Sequence, residues 1–138
     1  MRVLLDTNII LDQILRREPN YAMVKEIFEM IFCKSITGFT TANGLTDIYY
    51  IASKKLGKDT TKNALLILIR LLKVISVDSD DCTEGLKLPI TDFEDALIVV
   101  CANKTEIDYI ITNDKNFPNY GCNKSIVIKP EDFLQNVL

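Results

Sequence analysis

Five aspartates of this chain stand where short predicted elements begin or end: Asp6, Asp47, Asp92, Asp95 and Asp114. Asp6 is the clearest case, because it ends the strand-like run 2–6 and is followed by two small polar residues. In α/β sheets, ligands bind beyond the carboxyl ends of the strands. Acids that reach this edge from distant segments predict a pocket for hard divalent cations, which prefer oxygen ligands.

Phosphodiester hydrolysis is the chemistry that such a cluster would serve. The reaction must generate hydroxide and stabilise negative charge on the phosphorus oxygens and on the leaving group, and one or two magnesium ions can do both. Three or four carboxylates can hold such ions and leave positions open for water and substrate. Without metal, the same acids would repel one another and the phosphate.

The acids differ in how easily a structural role would explain them. Asp92 is equally well interpreted as a helix cap, because acids are favoured in a first turn by the helix dipole. Asp95 precedes the apolar run 96–102, so we expect it to be partly desolvated and to need a cation or a donor. Asp47, taken alone, is more typical of a structural residue. Thr7, Asn8 and Thr112 are either caps or residues that orient carboxylates by hydrogen bonds.

Strands alternate with helices along the chain, which predicts an α/β fold with a parallel, doubly wound sheet of about five strands and helices on both faces. We expect Thr7 or Asn8 to cap the first helix, Asn43 to cap the third, and Asp59 or Thr60 to begin the fourth. The predicted strands are 2–6, 35–40, 74–77, 107–112 and 125–128; the predicted helices include 21–34, 43–56, 59–72, 78–88, 92–103 and a short one from Pro130.

Length and composition limit the possible classes. With 138 residues and 48% apolar content, the chain predicts one domain over residues 1–138. There is no histidine, which excludes Ser-His-Asp and Cys-His schemes and makes a zinc site improbable. The net charge of −3 does not by itself favour a nucleic-acid partner, so the local sign of charge matters more.

Cysteine usage and hydropathy predict a cytoplasmic protein with reduced thiols and no membrane partner. The four cysteines are far apart in sequence and lack CxxC spacing. The N-terminus does not resemble a signal peptide. The most apolar stretch, Ala64–Leu72, is too short to span a bilayer and contains Arg70.

Four segments in order resemble the signature of PIN-domain ribonucleases, and the resemblance extends from Arg2 to Phe117. In length the chain is similar to VapC-type toxins of toxin–antitoxin pairs. The resemblance implies a PIN-like fold and metal-dependent endoribonuclease activity with Mg²⁺ or Mn²⁺. The segments are Leu5-Asp6-Thr7-Asn8, Thr46-Asp47-Ile48-Tyr49, Asp92-Phe93-Glu94-Asp95-Ala96-Leu97 and Ile111-Thr112-Asn113-Asp114-Lys115-Asn116-Phe117.

By this resemblance, Asp6, Asp95 and Asp114 would bind the metal. Asp47 matches the second catalytic acid, where the family more often has glutamate, so its shorter side chain favours a water-bridged contact. Asp92 would assist from one turn before the third acid.

Supporting polar residues also match the family's pattern, at Thr7, Asn8 and Thr112. Asn113 stands where many relatives carry arginine, and Lys115 could take over the phosphate contact.

The resemblance further implies an RNA substrate, an antitoxin that binds with a helix near the site, and a homodimer. Tyr49 and Tyr50 are adjacent, so one of them should be exposed, for base stacking or for a protein interface. The positively charged residues either form solvated helix faces or flank the acidic pocket and bind RNA. The positions concerned are Arg16, Arg17, Lys25, Lys54, Lys55, Lys58 and Lys62.

Two other function classes stay open. One is a non-catalytic PIN-like module that binds RNA or protein, which the aspartate at position 47 motivates. The other is a phosphotransfer or phosphatase domain with Asp6 as nucleophile. The second ranks lower, because position 8 is asparagine and a DxD arrangement is therefore missing.

Overall fold

The computed structural model describes residues 1–137, which form five strands and seven helices. The strands are β1 (Arg2–Leu5), β2 (Thr37–Thr41), β3 (Lys73–Ile75), β4 (Tyr109–Ile111) and β5 (Ile126–Ile128). The helices are α1 (Thr7–Ile14), α2 (Tyr21–Phe32), α3 (Ala42–Leu56), α4 (Lys58–Leu71), α5 (Ser79–Lys87), α6 (Phe93–Lys104) and α7 (Pro130–Asn136).

The strands form one parallel sheet in the order β3-β2-β1-β4-β5. β1 is central, and its Leu4 pairs with Phe39 of β2 on one side and with Ile110 of β4 on the other. Because all strands are parallel, their carboxyl ends lie at one edge of the sheet. The predicted parallel α/β sheet of five strands is confirmed.

Helices cover both faces of this sheet, as predicted. Side chains of a strand alternate between the two faces. Val3 and Leu5 of β1 pack in a core that includes residues of α1, α2, α3, α4 and α7, whereas Leu4 packs in a second core with Ile98 and Val99 of α6. β1 is therefore buried on both sides, which explains its almost continuous apolar sequence.

Three predicted helix starts are wrong. The cap of α1 is Asp6 instead of Thr7 or Asn8, and the cap of α3 is Thr41 instead of Asn43. In both cases the helix follows its strand without a loop, and a side-chain oxygen at the end of the strand caps it.

The start of α4 is also earlier than predicted. The helix begins at Lys58 with Gly57 as its cap residue, instead of beginning at Asp59 or Thr60. Gly57 also ends α3, as predicted, and has a φ of 81°, a conformation that glycine adopts without strain.

The four cysteines are free thiols, and burial raises the pKa of Cys101 to about 11. A buried thiol with a raised pKa is a poor nucleophile, so Cys101 acts as a small apolar core residue. Within residues 1–137, none of the helices combines the length and the hydropathy that crossing a bilayer requires.

Candidate active site

An open pocket of about 330 Å³ lies at the carboxyl edge of the sheet. It contains all five aspartates that the sequence singled out, together with one glutamate that it did not. The structure therefore brings together side chains that are up to 108 positions apart. The lining residues are Asp6, Thr7, Asn8, Asp47, Tyr50, Ile51, Asp92, Glu94, Asp95 and Asp114.

Asp6 forms the floor of the pocket and is only 4% exposed. Its position is fixed because its N–H donates to the Ile111 carbonyl at 3.0 Å, which continues the pairing of β1 with β4. The Thr112 hydroxyl donates to Asp6 Oδ2 at 2.7 Å, and the Thr7 N–H donates to Oδ1 at 2.7 Å. Burial raises the pKa of Asp6 despite these hydrogen bonds, and the charges of Asp114 and Asp92 raise it further.

Thr112 also connects Asp6 to Asp114. Its hydroxyl accepts a hydrogen bond from the Asp114 N–H at 3.0 Å while it donates to Asp6. Asp114 Oδ1 in turn accepts from the Asn116 N–H at 2.9 Å, which shapes the turn after β4. The hydrogen bonds that a supporting role for Thr7 and Thr112 would need are therefore present, although the role itself stays a prediction.

The first turn of α6 contributes a cap and a partly buried acid. Asp92 caps the helix, because its Oδ1 accepts from the Asp95 N–H at 3.0 Å. Burial raises the pKa of Asp95 to about 7, and the negative charges of Asp92, Asp6, Asp114 and Glu94 add to the effect. The expected partial desolvation of Asp95 is thus present.

Glu94 is the pocket acid that the sequence interpretation missed. It is half-buried, and its Oε1 accepts a hydrogen bond from the Thr7 hydroxyl at 2.9 Å. Burial raises the pKa of Glu94, and the neighbouring carboxyl group of Asp47 raises it further through like charge and a hydrogen bond. The residue stood within the segment 92–97, but its contact with Thr7 crosses 87 positions and has no local signal in the sequence.

A second polar network lies beside the pocket. It includes Arg17, which was considered for RNA binding, and Asn113, which stands where many relatives carry arginine. Asp12 is 4% exposed and accepts from Arg17 Nε at 2.8 Å and from Asn113 Nδ2 at 2.7 Å. Arg17 also donates to the Asn8 carbonyl at 3.3 Å. Arg17 and Asn113 therefore stabilise a buried acid. Lys115 is exposed and is not part of the pocket lining.

The donor set fits a hard divalent cation by its chemistry. The pocket offers carboxylate, hydroxyl and amide oxygens, which are the ligands that Mg²⁺ and Mn²⁺ prefer. Burial raises the pKa of Asp6 and of Asp95, and the like charges of neighbouring carboxylates raise both further. However, no three Asp, Glu, Cys or His side chains in residues 1–137 are already arranged to hold an ion.

Comparisons with known proteins agree with this architecture. A family model described as the PIN domain matches residues 2–116. Ribonuclease VapC1 of Aquifex aeolicus (strain VF5) is 24% identical over 121 residues, which cover 84% of this chain and 83% of that protein.

Two solved structures are similar at lower identity and indicate a shared fold. VapBC2 from Rickettsia felis, bound to a DNA fragment from its promoter, has a TM-score of 0.69 at 21% identity and covers 94% of this chain and 98% of that chain. VapC20 of Mycobacterium tuberculosis, described as a sarcin-ricin loop cleaving toxin, has a TM-score of 0.67 at 15% identity. The second match covers 83% of this chain and 92% of that chain.

The raised pKa of Asp95 predicts how the stability of the metal-free protein depends on pH. Between the ordinary value of 3.8 and about 7, the folded protein binds more protons at this group than the unfolded chain does. The free energy of unfolding should therefore fall as pH rises through this interval. Asp95→Asn removes the group, so its unfolding free energy should change less with pH.

Urea denaturation in EDTA at a series of pH values measures this effect. Asp132→Asn, on α7 and outside the pocket, is the control and should keep the pH dependence of the parent. Equal slopes for the parent and Asp95→Asn would contradict the prediction.

Proposed function

Because the chain belongs to the PIN-domain family, we propose that it is a metal-dependent endoribonuclease and the toxin of a toxin–antitoxin pair. The observation that carries the proposal is the pocket in which Asp6, Asp95 and Asp114 lie together at the carboxyl edge of the sheet. The name of the Aquifex relative, a ribonuclease, and the description of the Mycobacterium protein as a sarcin-ricin loop cleaving toxin support the reaction class.

In this proposal, Asp6, Asp95 and Asp114 hold Mg²⁺ or Mn²⁺, and Asp47 is the remaining catalytic acid. Such an ion supplies hydroxide at neutral pH and neutralises charge on the phosphodiester.

The neighbouring residues act through these acids. Thr7 and Thr112 fix the carboxylate of Asp6 by hydrogen bonds. Asp92 fixes the first turn of α6 and thereby Asp95. Asn8 borders the pocket, and exposed Lys115 is proposed to contact the RNA backbone.

Tyr50 is proposed to form part of the RNA-binding surface. This side chain is 63% exposed and lines the acidic pocket, so the prediction of one exposed tyrosine is confirmed. Lys54 Nζ lies 4.1 Å from the centroid of the Tyr50 ring. An exposed aromatic ring with a cation beside it is suited to stacking on a base while the cation approaches a phosphate. Lys55, Lys58 and Lys62, all exposed, follow along α3 and α4.

The antitoxin is proposed to bind with an apolar helix in a groove of about 610 Å³ between α2 and α4. The groove lies over the C-terminal end of α1, whose N-terminal end borders the acidic pocket. The descriptions of the Rickettsia structure and of a Klebsiella pneumoniae toxin–antitoxin complex support such a partner. The lining residues are Gln13, Ile14, Leu15, Arg16, Tyr21, Phe28, Leu56, Thr60, Ala64, Ile67, Leu68 and Leu71.

Three further expectations stay predictions: the homodimer, the single domain over residues 1–138, and the cytoplasmic location. The free thiols are in keeping with a reducing compartment.

A non-catalytic PIN-like binding module is the second candidate. It is favoured by the lack, in residues 1–137, of three acidic or thiol side chains already arranged around an ion. Titration with Mn²⁺ in a calorimeter separates the two functions. A nuclease should show saturable binding that Asp6→Asn abolishes, whereas a non-catalytic module should show none.

Asp6→Asn and Asp95→Asn should each reduce RNA cleavage by about 100-fold or more, because each removes a negative charge from a proposed metal ligand. The measurement is cleavage of single-stranded RNA with Mg²⁺ or Mn²⁺, and EDTA should abolish the parent's activity. Circular dichroism checks that the fold is retained. If both variants cleave as well as the parent, the assignment as a metal-dependent nuclease fails.

Tyr50→Ala should weaken RNA binding by about 1–3 kcal/mol if the ring stacks on a base. We therefore expect KM for RNA cleavage to rise by about 5-fold to 150-fold while kcat changes less. Tyr50→Phe keeps the ring and is the matched control. An unchanged KM in Tyr50→Ala would show that the ring does not contact the substrate.

The groove proposal expects a neighbouring reading frame to encode a small DNA-binding protein with an amphipathic tail. Ile67→Asp should prevent the complex of the two proteins, because it places a charge on the groove lining. Leu66→Asp is the matched control, since Leu66 is similarly exposed but lies outside the lining. Size-exclusion chromatography after co-expression measures the complex. Equal effects of the two substitutions would argue against this groove.

A further inference from the structure

We propose that Glu94 is an additional metal ligand of this pocket and supplies the reach that the shorter Asp47 lacks. The inference rests on the proposed function, because it assigns a role within the same metal site. Position 47 carries an aspartate, and Glu94 is its neighbour in the pocket. Glutamate has one more methylene group than aspartate, so its carboxylate reaches about 1.5 Å further from the backbone.

The position of Glu94 is fixed through the same residue that fixes Asp6. The Thr7 hydroxyl donates to Glu94 Oε1 at 2.9 Å, and the Thr7 N–H donates to Asp6 Oδ1 at 2.7 Å. One threonine thus holds two carboxylates from opposite parts of the chain on the same side of the pocket. This hydrogen bond uses only one of the two oxygens of the Glu94 carboxylate.

α3 approaches Thr7 closely and brings Asp47 to the same pocket. A Cβ at Gly44 would lie 3.0 Å from Thr41 Oγ1 and 3.4 Å from Thr7 Oγ1, so the helix approaches Thr7 closely at this point. Asp47 follows Gly44 by three positions and therefore lies on the same face of α3. Asp47 and Glu94 therefore line the same pocket as neighbours.

A purely structural role is the alternative, because an acid in a first turn is favoured by the helix dipole. A favourable interaction with the helix dipole requires only that the side chain lies near the end of the helix. An exposed side chain would be sufficient for this role. Glu94 instead turns into a pocket with five other acids, and no ion pair in residues 1–137 involves it. Each added negative charge makes such a pocket less stable unless a cation enters.

The experiment compares Mn²⁺ binding by calorimetry at about pH 8, where carboxylates are ionised. Glu94→Gln should weaken Mn²⁺ binding by about tenfold or more, and Asp47→Asn by less. Glutamine keeps the oxygen that accepts from Thr7, so a structural role would leave the affinity unchanged. Glu131→Gln, in the first turn of α7 and outside the pocket, is the matched control and should bind as the parent does.

A second variant tests whether a glutamate at position 47 can replace the carboxylate of Glu94. Adding Asp47→Glu to Glu94→Gln places a long carboxylate on α3, and we expect it to recover most of the lost Mn²⁺ affinity and RNA cleavage.

The negative outcomes of this experiment distinguish a failure of the proposed function from a failure of the role of Glu94. A parent that binds no Mn²⁺ overturns the proposed function and this inference together. A parent that binds Mn²⁺, with Glu94→Gln unchanged or without recovery on adding Asp47→Glu, overturns this inference alone.

Discussion

Repulsion among carboxylates is the constraint on which this structure depends. Six of them line one pocket of about 330 Å³, and burial together with like charge raises the pKa of Asp6, Glu94 and Asp95. Such a cluster would disperse if its side chains were free to turn towards solvent. The backbone prevents this, because Asp6 and Asp92 cap helices and Asp114 is part of a hydrogen-bonded turn. These three acids are thus held in place by backbone structure at the ends of β1 and β4 and at the start of α6.

The sheet brings these acids together in one site. β1 lies between β2 and β4, so the residues that follow these strands meet at the same edge. Asp6 follows β1, Asp114 follows β4, and α3 with Asp47 begins directly after β2. The apolar residues of β1 are buried on both faces against helices, and Asp6 follows directly after them.

The sequence was sufficient for the fold class and for the edge at which the acids gather, because periodicity and strand ends are local signals. It was insufficient where contacts cross the chain. Nothing near Glu94 indicates that Thr7 will bond to it, and nothing near Asn113 indicates that its amide will reach Asp12 over 101 positions. The caps of α1 and α3 were misplaced by one or two residues, since several polar residues follow each strand and only the geometry of the strand end selects among them.

Three aspartates are buried to a similar extent, and they divide into two kinds. Asp12 pairs with Arg17, and Asp81 pairs with Lys104, whose hydrogen bond lowers the pKa of Asp81. Asp6 has only the neutral donors Thr7 and Thr112, no cation within 4 Å among residues 1–137, and a raised pKa. Hydrogen bonds from neutral groups position a carboxylate without neutralising it. Among residues 1–137, the buried acids Asp12 and Asp81 thus each have a cationic partner, whereas Asp6 has none. A site for an external divalent ion requires such a carboxylate without a cationic partner.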